Sequence, residues 1–278
     1  MNKSSFVSSF ALKLIAIITM TIDHIAVFLK EFAILSYSDS LYTIMRIIGR
    51  LSLPLFAFAI CQGVLHTKNI KKYLLRLGLS AIIISFAIFI IKTLTISIYV
   101  GNIFIDLFLG ALILSLLRLP KYKKLYSLIP IGVSCLLVCS FIPNYIRPMY
   151  HLYGITLIVG YFLADSFANL IKHYYQDKLS FKDEETFVNS PFYRTLQNIL
   201  AICSLVIVNC IFYIIGKYND YLNNYLLMSM QVYSILSGAF LLFYNGKLGY
   251  NKKWFQYGCY VYYPMHIAII YGIIYLLV

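Results

Sequence analysis

Apolar residues run in long stretches along the chain, broken by short clusters of Lys, Arg, Tyr, Asn and Pro. Each stretch matches the length of about 20 residues that an α-helix needs to cross a hydrocarbon core of ~30 Å. The pattern predicts nine helices, over 11–29, 45–65, 73–91, 99–117, 125–142, 152–171, 197–216, 225–244 and 256–277. The one long hydrophilic interval, 172–196, carries Lys182-Asp183-Glu184-Glu185 and is too short for a domain, so it reads as a loop joining six helices to three. With no internal repeat and no low-complexity tract, residues 1–278 are expected to form a single all-α, polytopic transmembrane bundle.

Composition supports that picture. Hydrophobic residues make up 61% of the chain and charged residues 12%, against roughly 45–50% and about 25% in a soluble domain. The mean hydropathy is +0.81. All six cysteines (Cys61, Cys135, Cys139, Cys203, Cys210, Cys259) lie in apolar runs, where they are expected to pack as small hydrophobes, with neither a disulfide framework nor a metal site. The first helix follows Lys3 as a signal peptide would, but it has no small-residue cleavage site and carries Asp23-His24, so it is expected to remain in the mature protein.

The formal charge of +13 does not imply nucleic acid, because the cations lie between apolar runs as a topology signal does. Starting from a cytoplasmic N-terminus, one side collects Lys3, Lys13, Lys68, Lys71, Lys72, Arg76, Arg118 and the later clusters, seventeen in all, and the other side six. The bias predicts an N-terminus inside and a C-terminus outside.

An ionisable side chain in a span costs about 2.5–3.5 kcal/mol or more, so each one asks for a partner or a task. Asp23 and His24 sit in the first helix, Asp23 about 17 Å along the axis from Leu12. Arg46 and Arg50 lie one turn apart in the second helix; Asn102, Asp106 and Gly110 are spaced by four in the fourth; His151 opens the sixth; Tyr262 and His266 stand four apart in the ninth, beside Pro264. These positions come from separate helices but share a depth. The bland account is structural ion pairing for Asp23, Asp106, Arg46 and Arg50. His24 fits it less well, since imidazole titrates nearest neutrality and a facing carboxylate would orient it. His66 and His173 are expected at the solvated surface, and Tyr122, Tyr126, Tyr257 and Tyr260 as interfacial anchors.

The segments Leu12-Lys13-Leu14-Ile15-Ala16 through Met20-Thr21-Ile22-Asp23-His24, Arg46 through Phe58 with Gly49 and Pro54, Gly63, His66-Thr67-Lys68-Asn69 before Lys72-Tyr73-Leu74-Leu75-Arg76, Asn102-Ile103-Phe104 and the closing Tyr262-Tyr263-Pro264-Met265-His266 resemble the TraX family. The specific motifs occupy the first ~80 and last ~20 residues by the pattern of spans. The family takes its name from an inner-membrane protein that N-acetylates conjugative pilin, and it is distantly similar to transmembrane acyltransferases. The resemblance implies a first-helix histidine, here His24, and nearby arginines, here Arg46 and Arg50. They would serve acyl transfer from cytoplasmic acyl-CoA to an acceptor reached from the outer side. The acceptor itself does not carry over.

That chemistry needs a base for the acceptor proton and a cation where the oxyanion forms. His24 is the expected base, Asp23 or Asp106 its orienting carboxylate, and Arg50 with Arg46 the oxyanion stabiliser or acceptor clamp; the sequence does not distinguish a covalent acyl-histidine step from direct transfer. Asn102, His151, Tyr262 and His266 are expected to contact substrate. Lys68, Lys71, Lys72 and Arg76 are expected to meet the phosphates of acetyl-CoA, the acyl donor, with a peptide amine or glycan hydroxyl as acceptor and the lipid bilayer as surroundings. The rival from another class is a proton-coupled transporter or flippase using Asp23, Asp106 and the arginines, although only Pro54 and Pro264 break helices and nine do not divide into equal halves. A non-catalytic assembly partner is a third reading. Oligomeric state does not follow, since Gly154 and Gly160 lack the four-residue spacing of a helix-dimer motif.

Overall fold

The computed structural model describes residues 6–36, 38–94, 102–118, 151–178, 190–218 and 228–277. The helices are α1 (Ser9–Glu31), α2 (Ser40–Gly49), α3 (Ser52–His66), α4 (Ile70–Leu94), α5 (Ile103–Leu117), α6 (His151–Lys178), α7 (Pro191–Tyr218), α8 (Met228–Gln231), a 3₁₀ helix (Val232–Ser237), α9 (Gly238–Leu242) and α10 (Lys253–Leu277). Among the described residues there is no strand. Six helical stretches are long and apolar enough to cross a membrane, counting Ser40–His66 as one, and Ile103–Leu117 and Val232–Leu242 are shorter apolar helices. The predicted helix 125–142, the centre of the 172–196 loop, Tyr122, Tyr126, Cys135 and Cys139 lie outside the described residues. Cys61, Cys203, Cys210 and Cys259 are free thiols. The chain is a multi-pass membrane protein.

Two boundaries differ from the hydrophobic pattern for physical reasons. The predicted helix 45–65 starts at Ser40 and is interrupted at Arg50-Leu51. Pro54 has no N–H to offer the carbonyl of Arg50, and its ring crowds that carbonyl, so the ladder breaks there and restarts at Ser52. The predicted helix 225–244 is a short α-helix, a 3₁₀ helix and another short α-helix in succession. A 3₁₀ helix has three residues per turn, so residues three apart eclipse. Gln231, Ser234 and Ser237 therefore stack in one line, and each is fully buried.

Ser40–His66 is the central span, with 61% of its apolar window buried against 22% for Ile70–Phe89. α1 packs on α2, α3 and α10; α3 also meets α5 and α6; α5 lies between α4 and α6; α7 packs on α6 and the segment 228–242. Outward faces are apolar: Val261, Met265, Ile269 and Ile273 recur every four residues along α10 and are all more than half exposed. In lipid that exposure carries no hydration cost.

One end of the bundle is tied together by backbone. Val7 N–H bonds the carbonyl of Phe243, Asn245 N–H that of Val7, and Ser9 and Phe10 N–H those of Lys247 and Leu248. Gly246 (φ 73°) and Gly249 (φ 69°) give this connection the left-handed backbone it needs. Arg118 at the end of α5 bonds the carbonyl of Val64 near the end of α3. Lys13, His66, Arg76, Arg118, Arg194 and Lys247 thus gather at one end, and Lys30 and Lys217 lie at the other.

A cation on the lipid-facing stripe of α10 tests this arrangement. Ile269→Lys should cost about 2.5–3.5 kcal/mol of insertion and lower the carbonate-resistant membrane fraction, whereas Ile269→Leu should leave that fraction unchanged.

Candidate functional site

Counting ~1.5 Å per residue from the tied end, His24 lies about 22 Å from Ser9 along α1, His266 about 20 Å from Lys253 along α10, and Arg50 about 24 Å from His66 back along α3. The structure brings these residues to a common depth.

Asp23 is the centre of the charged cluster. Its Oδ2 accepts from Arg46 Nη1 at 2.7 Å and its Oδ1 from Arg50 Nη2 at 3.1 Å. All three residues are buried. Arg46 and Arg50 share a face of the helix because they are four apart, and Gly49 stands between them. A methyl on Gly49 would overlap the Asp23 carboxylate, so the carboxylate rests directly on α2 backbone. A buried ion pair of this kind is costly to make and more costly to break, because removing one partner leaves a charge in low dielectric. Arg46 Nε is buried and finds no hydrogen-bond partner among the described residues, which leaves that guanidinium N–H for a ligand oxygen.

The cluster continues into the second half of the bundle through neutral groups. Arg50 Nη1 donates to Gln231 Oε1 at 3.4 Å, Gln231 Nε2 to the Tyr153 hydroxyl at 3.2 Å, and Tyr153 and Ser234 to Asn209 Oδ1 at 3.2 and 3.1 Å. Tyr153, Asn209, Gln231 and Ser234 are not among the residues that sequence reasoning selected. Neutral polar side chains in apolar runs resemble helix glue, and the available signal was the three-residue spacing of Gln231, Ser234 and Ser237.

His24 does not bond Asp23. Its Nδ1 lies 2.6 Å from His266 Nε2, with the rings nearly parallel and 4.9 Å apart. This corrects the expected orienting group, Asp23 or Asp106, whose place is taken by His266. The reason is that both Asp23 oxygens are held by the arginines. His266 Nδ1 reaches back one turn to the carbonyl of Tyr262 at 2.9 Å. The Tyr262 ring stacks on His266 at 4.9 Å, and its hydroxyl lies 2.7 Å from Thr21 Oγ1.

Beneath this pair is a cavity of ≈ 510 Å³, within the range of small-molecule sites. Ser9, Lys13, His66, Thr67, Arg76, Asn251 and Gln256 line its polar end, and Leu12, Ile17, Phe56, Phe58, Leu77 and Leu107 its walls. It reaches Met20, Ile103, Phe104 and Tyr263, about 16 Å of helical rise from Ser9. Met20 is one turn from His24. The Tyr263 ring lies edge-on to both histidines, 6.1 Å from His24 and 5.6 Å from His266, so one side chain is shared by the cavity wall and the histidine pair.

The other expected residues divide. Arg76 lines the cavity beside Tyr73, while Lys68, Lys71 and Lys72 are exposed outside it. Lys13 and Tyr260, read as a topology charge and an interfacial anchor, line the cavity. His66 is exposed on its rim. Asn102 is buried and caps α5, accepting from Phe104 N–H while donating to the Ala81 carbonyl and Ser85 Oγ at 2.8 and 2.9 Å. Its polar atoms thus hold α5 to α4. Asp106 is fully buried, on the face of α5 whose Gly110 meets Ile158 of α6. His151 begins α6, and the side chains of His151 and His173 lie outside the described residues.

Gly49 offers a clean test. Gly49→Ala should destabilise the protein by about 1–3 kcal/mol through overpacking against Asp23, read as a lower Tm in detergent. Gly272→Ala, whose added methyl meets nothing, should leave Tm unchanged.

A relative from Dichelobacter nodosus, described as "Probable fimbrial assembly protein FimC, serogroup H1", is 27% identical over 280 residues, covering 97% of both chains. No solved structure matches. The model of the family described as "TraX protein" matches residues 8–174, which contain Asp23, His24, Arg46, Arg50 and much of the cavity wall, and the chain therefore belongs to the TraX family.

Proposed function

We propose that this protein is a membrane-embedded acyltransferase that moves an acyl group, acetyl by our reading, from cytoplasmic acyl-CoA to an amine or hydroxyl presented from the outer side of the membrane. The observation that carries the proposal is the cavity, which joins a cation-lined end to an apolar channel ending one turn from a buried histidine pair. A thioester donor has matching parts: phosphates at one end, a thin arm, and a reactive carbonyl at the tip. In this reading Lys13 and Arg76 meet the phosphates, with Lys68, Lys71 and Lys72 adding field at longer range. The cavity's apolar walls exclude water from the thioester.

The reaction then needs a proton acceptor and an oxyanion partner at the inner tip of the channel. His24 takes the acceptor proton. Arg46, whose Nε has no partner among the described residues, donates to the oxygen of the tetrahedral intermediate, and Asp23 holds Arg46 and Arg50 in place for it. The concentration of seventeen cations on one side against six on the other supports a cytoplasmic N-terminus and nine spans, with the C-terminus outside. The relative named for fimbrial assembly and the pilin acetylation for which the family is named favour an exported peptide amine as acceptor.

Acetyl-CoA added to purified protein should raise Tm, because a ligand that binds only the folded state stabilises it. Lys13→Gln with Arg76→Gln should raise the apparent KM for acetyl-CoA more than about tenfold, two charge-assisted contacts at about 1.5–3 kcal/mol each being ample. Lys71→Gln with Lys72→Gln should change it less than about threefold, as screened surface charges do. Absence of any thermal shift or labelled product with folded protein would overturn the acyltransferase reading.

A further inference from the structure

The polar contacts around His24 have a fixed direction, and it can be read from acceptor chemistry alone. A backbone carbonyl only accepts hydrogen bonds. His266 Nδ1, 2.9 Å from the Tyr262 carbonyl, therefore carries its proton there. A neutral imidazole has one N–H, so His266 Nε2 is a bare lone pair. The atom 2.6 Å from it, His24 Nδ1, must then be the donor, and the Nε2 of neutral His24 is left without a proton. No hydrogen bond from the described residues engages that Nε2.

The supports of this chain are directional as well. Thr21 Oγ1 lies 2.8 Å from the Ile17 carbonyl and 2.7 Å from the Tyr262 hydroxyl. The threonine proton goes to the carbonyl, so Tyr262 donates to Thr21. That bond ties α10 to α1 three residues before His24. Tyr262 stacks on His266 with 5° between the ring planes, which opposes tilting of the imidazole out of that plane.

We infer that His266 is a positioning residue: it holds neutral His24 in the Nδ1–H tautomer, with a basic Nε2 presented to the substrate, and forms a two-histidine relay with it. For its consequence in catalysis the inference rests on the acyltransferase reading; the tautomer itself is a property of the resting protein. In the reaction, the acceptor's N–H or O–H proton passes to His24 Nε2 as its nitrogen or oxygen bonds the thioester carbon. The C–S bond breaks, and the departing thiolate takes the proton from His24 Nε2 to leave as free thiol. Between the two transfers the positive charge is shared along Nδ1–H to His266 Nε2, so one ring need not bear it alone in a low-dielectric site.

The experiment is ¹⁵N NMR of protein labelled at its five histidines, in nanodiscs and without substrate, with the His24 signals assigned by their loss in His24→Ala. The expected result is a protonated Nδ1 and an unprotonated Nε2 for His24 in wild type. A protonated Nε2 with a bare Nδ1, or averaging between the two forms, overturns the inference whatever the activity. His266→Gln, whose Oε1 can accept from Nδ1–H, should keep the tautomer and retain kcat within about tenfold. His266→Leu should release the tautomer and lower kcat about 10²–10⁴-fold with the KM for acetyl-CoA unchanged. Equal kcat in the Leu and Gln variants would also overturn it. If the tautomer is found but no acyl transfer occurs, the relay stands and the acyltransferase reading falls.

Discussion

The contact on which the rest of this protein turns is the carboxylate of Asp23 held between two guanidinium groups inside the bundle. In a medium that solvates charge poorly, a carboxylate with two guanidinium partners is tolerable where any one of the three alone would not be. The local backbone follows from it. Arg46 and Arg50 must present on one face, Gly49 between them must have no side chain, and the helix can break immediately afterwards because Pro54 withdraws the N–H that Arg50's carbonyl would have met. A short motif that looks like an ordinary apolar helix with two arginines is thus a seat shaped for one carboxylate.

Holding Asp23 this way frees the neighbouring residue. His24 is one position along α1, about 100° further around the axis, and so faces α10 where Asp23 faces α2. Because the arginines occupy the carboxylate, the imidazole is left to His266, a partner that can both accept and pass a proton. The adjacent Asp and His, which in sequence suggest a dyad, are in space the ends of two separate networks. One runs through Arg50 into Gln231, Tyr153 and Asn209; the other runs through His266 into Tyr262 and Thr21.

The depth of the site was legible in the sequence and its pairing was not. Asp23, Arg46, Arg50 and His266 stand out because an ionisable group in an apolar run is rare, and counting along each helix from a common end brings them level. Which of them touch depends on the rotation of each helix about its axis, and an apolar run that is buried on one side and faces lipid on the other has no hydrophobic contrast to reveal that rotation. The cavity was harder still. Lys13 carries the same charge that topology demands of any residue near its end of the bundle, and Tyr260 the same ring that interfaces favour, so a binding role adds no compositional mark to either. Arg76 was selected for phosphate contact together with three lysines, and only the arginine is on the cavity wall, since a position near the start of α4 does not say which way the side chain leaves the helix.

The 3₁₀ segment sets a limit on how this chain can vary. Its residues rise about 2.0 Å each instead of 1.5 Å, so the six positions from Val232 to Ser237 reach about 3 Å further than the same residues would as α-helix, and Gln231, Ser234 and Ser237 align only while the count between them is three. An insertion or deletion here alters both the length of the segment and the direction of Ser234 and Ser237 relative to Gln231, the residue that reaches Arg50. This stretch, among the least distinctive in composition, is therefore one where a change in length displaces several buried polar groups at once.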